Sequence, residues 1–247
     1  MSTSTVTEPP EVTTGGRIAT VLRLTGVDAR VRMSVPWLIL GAIFLVNVAI
    51  WWAVRASSDD GGQGTTGALT ALFFIIGSTY LVTMTQTMPF ALSLGITRRH
   101  FYAGVVVRLA GETLVHAVAL TALLLLERAT DGWGLRMGFF SLGFVPPLNP
   151  LLQVLCFWVP LLSIGTLFLL FGAVFRRWGQ YGVWALAVAG VLAAGLAVFW
   201  VTWQSAWPAV GRFFTGTPVP VLLAVHPLVL AAVAVAVGYL VVRRARV

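Results

Sequence analysis

Residues 151–203 read LLQVLCFWVPLLSIGTLFLLFGAVF, RRWGQ, YGVWALAVAGVLAAGLAVFWVTW: two long apolar runs parted only by Arg176-Arg177-Trp178-Gly179-Gln180. Each run exceeds the ~20 residues that a helix needs to cross a hydrocarbon core. Lipid offers backbone amides and carbonyls no partner, so a spanning segment must satisfy them internally, as a helix does and an open strand does not. The reading is therefore two predicted transmembrane helices, Leu151–Phe175 and Tyr181–Trp203, joined by a tight basic turn.

The rest of the chain repeats the pattern. Pro36–Val54, Gly67–Met88, Gly104–Leu126 and Val219–Val242 are further apolar stretches of spanning length, giving six predicted spans in an all-α, polytopic membrane protein. Of the 247 residues, 58% are hydrophobic and 10% charged, against roughly a quarter charged in soluble domains. That leaves too little polar surface for a water-facing exterior.

Every one of the 16 basic residues is arginine, and arginines in short connections set orientation. With the N-terminus in the cytoplasm, twelve lie inside, namely Arg17, Arg23, Arg30, Arg32, Arg98, Arg99, Arg108, Arg176, Arg177, Arg243, Arg244 and Arg246, against Arg55, Arg128, Arg136 and Arg212 outside. Both termini are thus expected in the cytoplasm, with residues 243–247 a basic tail. The outer connections also hold Asp59, Asp60, Glu127 and Asp131, and Trp133 and Trp207 suit an aromatic belt. Residues 1–16, rich in Ser, Thr, Pro and Glu, read as a disordered tail. The first long apolar run starts too far into the chain for a secretory signal. Residues 17–35 mix Ile18, Val21, Leu22, Val27 and Val31 with four arginines, the pattern of an interfacial amphipathic helix on an anionic leaflet.

The missing lysine excludes whole classes of function. A P-loop and a protein kinase each need a lysine on the nucleotide phosphates, and Schiff-base cofactors need an amine. The net charge of +8 sits on arginines flanking apolar spans, not on a nucleic-acid stripe. Cys156, the one cysteine, lies in an apolar run, so neither an internal disulfide nor a cysteine-ligated metal is expected. No serine stands in a nucleophile elbow and no carboxylate pair suggests hydrolysis. The chain is not expected to be an enzyme by itself.

Two segments are candidates for function. In the inner connection after the second span, Pro89 is expected to stop the helix because it lacks the amide and clashes with the preceding turn. Phe90 to Leu94, with Leu92 between, then forms a short apolar knob. Gly95 permits a sharp turn, Thr97 can cap the next helix, and Arg98 and Arg99 form a basic corner. Such a knob suits docking of a cytoplasmic partner; the bland alternative is a loop whose arginines only set orientation. The second segment is a face of the third span, where Arg108, Glu112 and His116 recur at every fourth position. Ionisable groups inside a bilayer are costly unless paired or wetted. Arg108 and Glu112 can pair along the helix, which leaves a structural ion pair and a substrate or gating path as alternatives. His226 in the last span can face His116, and two histidines could ligate haem, with hydrogen-bonded packing the plainer reading. Asn47 and Gln153 suit interhelical hydrogen bonds, and small residues at Ala185, Ala189, Ala193 and Ala197, and at Ala234 and Gly238, suit close helix packing within the subunit or across a dimer.

The run Leu94-Gly95-Ile96-Thr97-Arg98-Arg99-His100-Phe101-Tyr102-Ala103-Gly104 resembles the segment between the second and third spans in permeases of ATP-binding-cassette exporters of the type-two, six-span class. The likeness is to the short permeases common in high-GC Gram-positive bacteria, which the Arg-only, Ala- and Val-rich composition also suits. Gly132-Trp133-Gly134 with Phe139-Phe140, and Arg177-Trp178-Gly179, are similar to later landmarks of that group. Many members carry a larger outer loop before the last span, whereas Gln204 to Pro218 is short here. The resemblance implies a coupling helix spanning Phe90 to Phe101, His100 included, seated in a groove of a separate cytoplasmic ATPase, with residues 17–35 as the connecting helix. It implies two permease subunits and two ATPases in a bacterial cell membrane. Cofactors would bind indirectly: ATP and Mg²⁺ belong to the partner subunit. Two other functions fit the residues: a proton-coupled transporter using Glu112 and His116, though no internal repeat accompanies it, and a membrane scaffold or sensor that only binds partners.

Overall fold

The computed structural model describes residues 29–57, 64–143 and 145–244. The tail 1–16, the larger part of the expected interfacial segment (17–28), Asp59, Asp60 and residues 245–247 lie outside the described residues. Helix dominates: α1 (Ala29–Ser57), α2 (Leu69–Val82), α3 (Met88–Ser93), α4 (Arg98–Ala129), α5 (Pro150–Trp203), α6 (Trp207–Gly216) and α7 (His226–Arg244). Among the described residues, five helical segments are long and apolar enough to cross a membrane: Val31–Ser57, Leu69–Ser93, Arg98–Ala129, Pro150–Trp203 and Val221–Arg244. The chain is a multi-pass, all-α membrane protein.

Two of the expected boundaries move. Pro89 does not stop the second span. The ladder opens into a π turn over Thr83–Thr87, in which the amide of Met88 bonds the Thr83 carbonyl, and the helix resumes as α3 with Pro89 in its first turn. A wider turn removes the clash a proline makes with the carbonyl four residues back. The same device recurs at the last span, where a π turn over Val221–Val225 immediately precedes His226-Pro227. Residues 29–35, expected at the end of an interfacial helix, run without interruption into the first apolar helix, and Pro36 lies inside α1.

The basic turn at 176–180 is a break within α5, not a loop. Gly179 takes φ 66° and ψ −156°, a region essentially reserved for glycine. The Arg177 guanidinium sits 4.3 Å over the Trp178 ring beside it, a cation–π contact. An unbroken 54-residue helix would measure ~80 Å at ~1.5 Å per residue, far beyond a ~30 Å core.

The core is built by α2, α4 and the first arm of α5 (150–178). Leu72, Ile76, Tyr80 and Met84 recur every fourth residue on α2 and its π turn and are buried, as are Val105, Leu109, His116 and Leu120 on α4, and Phe157, Leu161 and Leu169 on α5. Glycines bring the helices close: a Cβ on Gly172 would stand 2.6 Å from that of Met84, and one on Gly77 would stand 2.7 Å from the Phe168 ring. In lipid such contact and interhelical hydrogen bonds hold helices together, because tails are as apolar as leucine. Of the two small-residue stripes, Ala234 and Gly238 on α7 are buried, with Gly238 against Tyr102 of α4, whereas Ala185, Ala189, Ala193 and Ala197 are all exposed.

At the end of the bundle bearing the C-termini of α1 and α4, a two-residue parallel bridge pairs β1 (Gly64–Thr65) with β2 (Met137–Gly138). The segment before the last span, expected as a short loop, contains the ten-residue helix α6, with Phe213 and Phe214 exposed.

Candidate functional site

The corner between α3 and α4 is a closed turn. The amide of Gly95 bonds the Leu92 carbonyl and that of Ile96 the Ala91 carbonyl, the paired bonds of a Schellman ending. Gly95 takes φ 81°, which a glycine tolerates and a Cβ resists. Thr97 then caps α4, its hydroxyl accepting from the His100 amide at 3.5 Å and lying 2.7 Å from His100 Nδ1. Phe90 and Leu94 stay 61% and 53% exposed, while Met88 and Ala91 on the same short helix are buried. Pro89, Leu92, Arg98 and His100 are half-buried; Gly95, Thr97 and Arg99 are exposed. Phe101 departs from the expected contact surface: it is fully buried in the core next to Tyr102. The corner is thus an apolar tip on a rigid base.

The polar face of α4 closes on a neighbour. Arg108 Nε donates to Glu112 Oε1 at 2.6 Å, the expected pairing along the helix. The other carboxylate oxygen accepts from the hydroxyl of Tyr80 on α2, a buried residue that the sequence reading passed over. The signal was available: Tyr80 and Glu112 are equidistant along the chain from Ile96, so two antiparallel helices with a tight turn there place them at one depth. The result is a neutralised ion pair linking α2 to α4 just before the π turn. His116 follows one turn along, 2% exposed, its ring 5.7 Å from Trp37 of α1. Its Nδ1 has no hydrogen-bond partner among the described residues.

Other expected pairings do not form. His226 is exposed, with Nδ1 3.0 Å from the Val221 carbonyl and its ring against Phe213, so His116 and His226 keep different neighbours. Asn47 donates to Ile43 O within its own helix at 2.8 Å, and Gln153 Oε1 is buried without a partner among the described residues. Among the described residues no group of His, Cys, Asp and Glu is placed to hold a metal.

In sequence terms Glu127 is only an outer-loop charge; in the fold it is a buried carboxylate. Glu127, 3% exposed at the end of α4, accepts from the amides of Phe139 and Phe140 at 2.8 Å each, from the Ser141 amide at 3.0 Å and from the Trp133 indole at 3.3 Å. Trp133 itself takes φ 62°. Phe44 of α1 packs against Trp133, Phe139 and Phe140 with ring centroids at 5.0, 5.1 and 6.1 Å. The Gly132-Trp133-Gly134 and Phe139-Phe140 landmarks are therefore one folded cap around a carboxylate. No local motif announces it, because the donors are backbone amides a dozen residues away. No known protein family, curated protein or solved structure matches this chain.

Proposed function

We propose that the chain is the transmembrane permease subunit of an ATP-binding-cassette exporter, moving an amphiphilic substrate (a drug, lipid or peptide-like molecule) outward. A separate cytoplasmic subunit binds and hydrolyses the ATP, since a chain without lysine has no P-loop. The observation that carries the reading is the α3–α4 corner. It leaves Phe90 and Leu94 exposed while Met88 and Ala91 beside them are buried, and Phe101 anchors the start of α4 in the core. A push on that tip reaches α2 through the π turn and α4 through the Thr97 cap, and the Tyr80–Glu112–Arg108 link makes both helices move together. The resemblance of residues 94–104 to the coupling segment of these permeases points the same way.

On this reading the two arms of α5 are separate spans that meet at Gly179, giving six spans. The arginine distribution puts the α3–α4 corner, Arg176-Arg177 and the C-terminus inside, in a bacterial cell membrane. The exposed small-residue stripe on the second arm of α5 supports a second permease subunit, like or unlike this one.

The test is reconstitution with the nucleotide-binding subunit. The ATPase copurifies, substrate stimulates its hydrolysis, and Phe90→Asp or Leu94→Asp abolishes stimulation while the chain stays folded. Full transport in vesicles lacking any ATPase would rule the reading out. The buried acid favours one rival, proton-coupled transport through Glu112 and His116. A carboxylate engaged by both Arg108 and Tyr80 serves better as a strut than as a proton carrier, so Glu112→Gln keeps ATP-driven transport independent of a proton gradient. Gradient-driven uptake abolished by that change would favour the rival.

A further inference from the structure

At the end of the bundle occupied by the α3–α4 corner, two elements far apart in the chain meet around one concavity. Arg98, Arg99 and His100 open α4, and Arg243 lies in the last turn of α7; with Thr97 they line a cavity of about 450 Å³. Arg99 and Arg243 are exposed, and Arg98 and His100 are half-buried. Among the described residues no aspartate or glutamate lines it. The rule that arginines gather on the cytoplasmic side explains how many stand at this edge, not why residues from two helices converge on one cavity. Like charges drawn together in a recess raise a local positive potential that an anion relieves. Guanidinium groups are suited to phosphate oxygens, which they engage through two parallel N–H donors.

The height of the cavity identifies the source of the anion. α4 and α7 are both long apolar helices of membrane-crossing length, and the cavity lies where one begins and the other ends. That is the level of the headgroups, where basic pockets between transmembrane helices take anionic lipid. We propose that this cavity binds the phosphate of an anionic phospholipid headgroup, clamping the start of α4 to the end of α7. The site needs no ATPase, so it stands or falls separately from the transport reading.

Native mass spectrometry of the full chain in detergent, equilibrated with equal amounts of phosphatidylglycerol and phosphatidylcholine, tests it. Wild type retains phosphatidylglycerol preferentially. The Arg99→Gln/Arg243→Gln double variant loses that preference by about tenfold, and Arg136→Gln/Arg212→Gln, an equal loss of charge elsewhere, keeps it. Thermal unfolding in the same detergent checks that the double variant is folded; if it is not, Arg243→Gln alone is read, with a smaller loss expected. Equal retention by the folded variant, wild type and control overturns the proposal. Inorganic phosphate is titrated in parallel: tight binding of the free ion, lost in the same variant, also overturns it, because the ligand would then come from solution.

Discussion

Glu112 and Glu127 lie on one helix, both largely withdrawn from solvent, and are satisfied in opposite ways. Glu112 is held by side chains, the guanidinium of Arg108 and the hydroxyl of Tyr80, which join two helices in the body of the bundle. Glu127 is held mainly by backbone, three consecutive amides of a loop wrapped over the helix end, with one indole added. A side-chain cluster can be dismantled one partner at a time. A backbone nest exists only while the loop keeps its fold, and the loop keeps its fold because the carboxylate is there. The same functional group is a strut in one place and a nucleus in the other.

That contrast sets the order of expected effects, read as thermal unfolding midpoints in one detergent and converted to free energy. Glu127→Ala has the largest, a loss of roughly 3–5 kcal/mol, because it strands two buried amides and a partly buried third at once, and each orphaned donor costs about 1–3 kcal/mol. A loss below that of any Glu112 neighbour would break the comparison. Arg108→Gln comes next, at roughly 2 kcal/mol, since it removes the charge-assisted hydrogen bond on Glu112 Oε1. Adding Glu112→Gln recovers part of the loss, a coupling that a double-mutant cycle detects and a merely additive pair would refute. Tyr80→Phe is smaller, about 1 kcal/mol, because it removes a single donor while Arg108 keeps the charge paired. Trp133→Phe is the least, about 0.5 kcal/mol: the indole bond is the longest of the four on Glu127, and the backbone donors remain.

Much of the architecture could be read from the chain. The six expected apolar runs, 36–54, 67–88, 104–126, 151–175, 181–203 and 219–242, fall in five helices of membrane-crossing length, the fourth and fifth runs sharing α5, because lipid as solvent leaves a long apolar segment little other choice. The Arg108–Glu112 pair, the glycine turn at Gly95 and the Thr97 cap also follow from spacing alone, since each depends on neighbours within a turn of helix. The misreadings share a cause. Pro89 is disruptive to an α-helix, yet whether the ladder ends or widens depends on what packs around it. Here Met84 within the π turn and Met88 and Ala91 just after it are buried, so the helix continues through it. Phe101 and Phe90 are alike in sequence terms, both phenylalanines in the same connection, and only packing tells the buried one from the exposed one.

What the sequence by itself determined is the solvent and the form: a lysine-free chain with 10% charged residues must present most of its surface to lipid, and backbone hydrogen bonding then demands helices. What only the tertiary structure decided is which polar groups meet. Tyr80 finds Glu112, three loop amides find Glu127, and Arg243 comes to stand beside Arg99, because each contact joins residues whose nearness depends on how helices stack, and stacking in lipid is settled by close shape fit, not by any pattern that one helix carries alone.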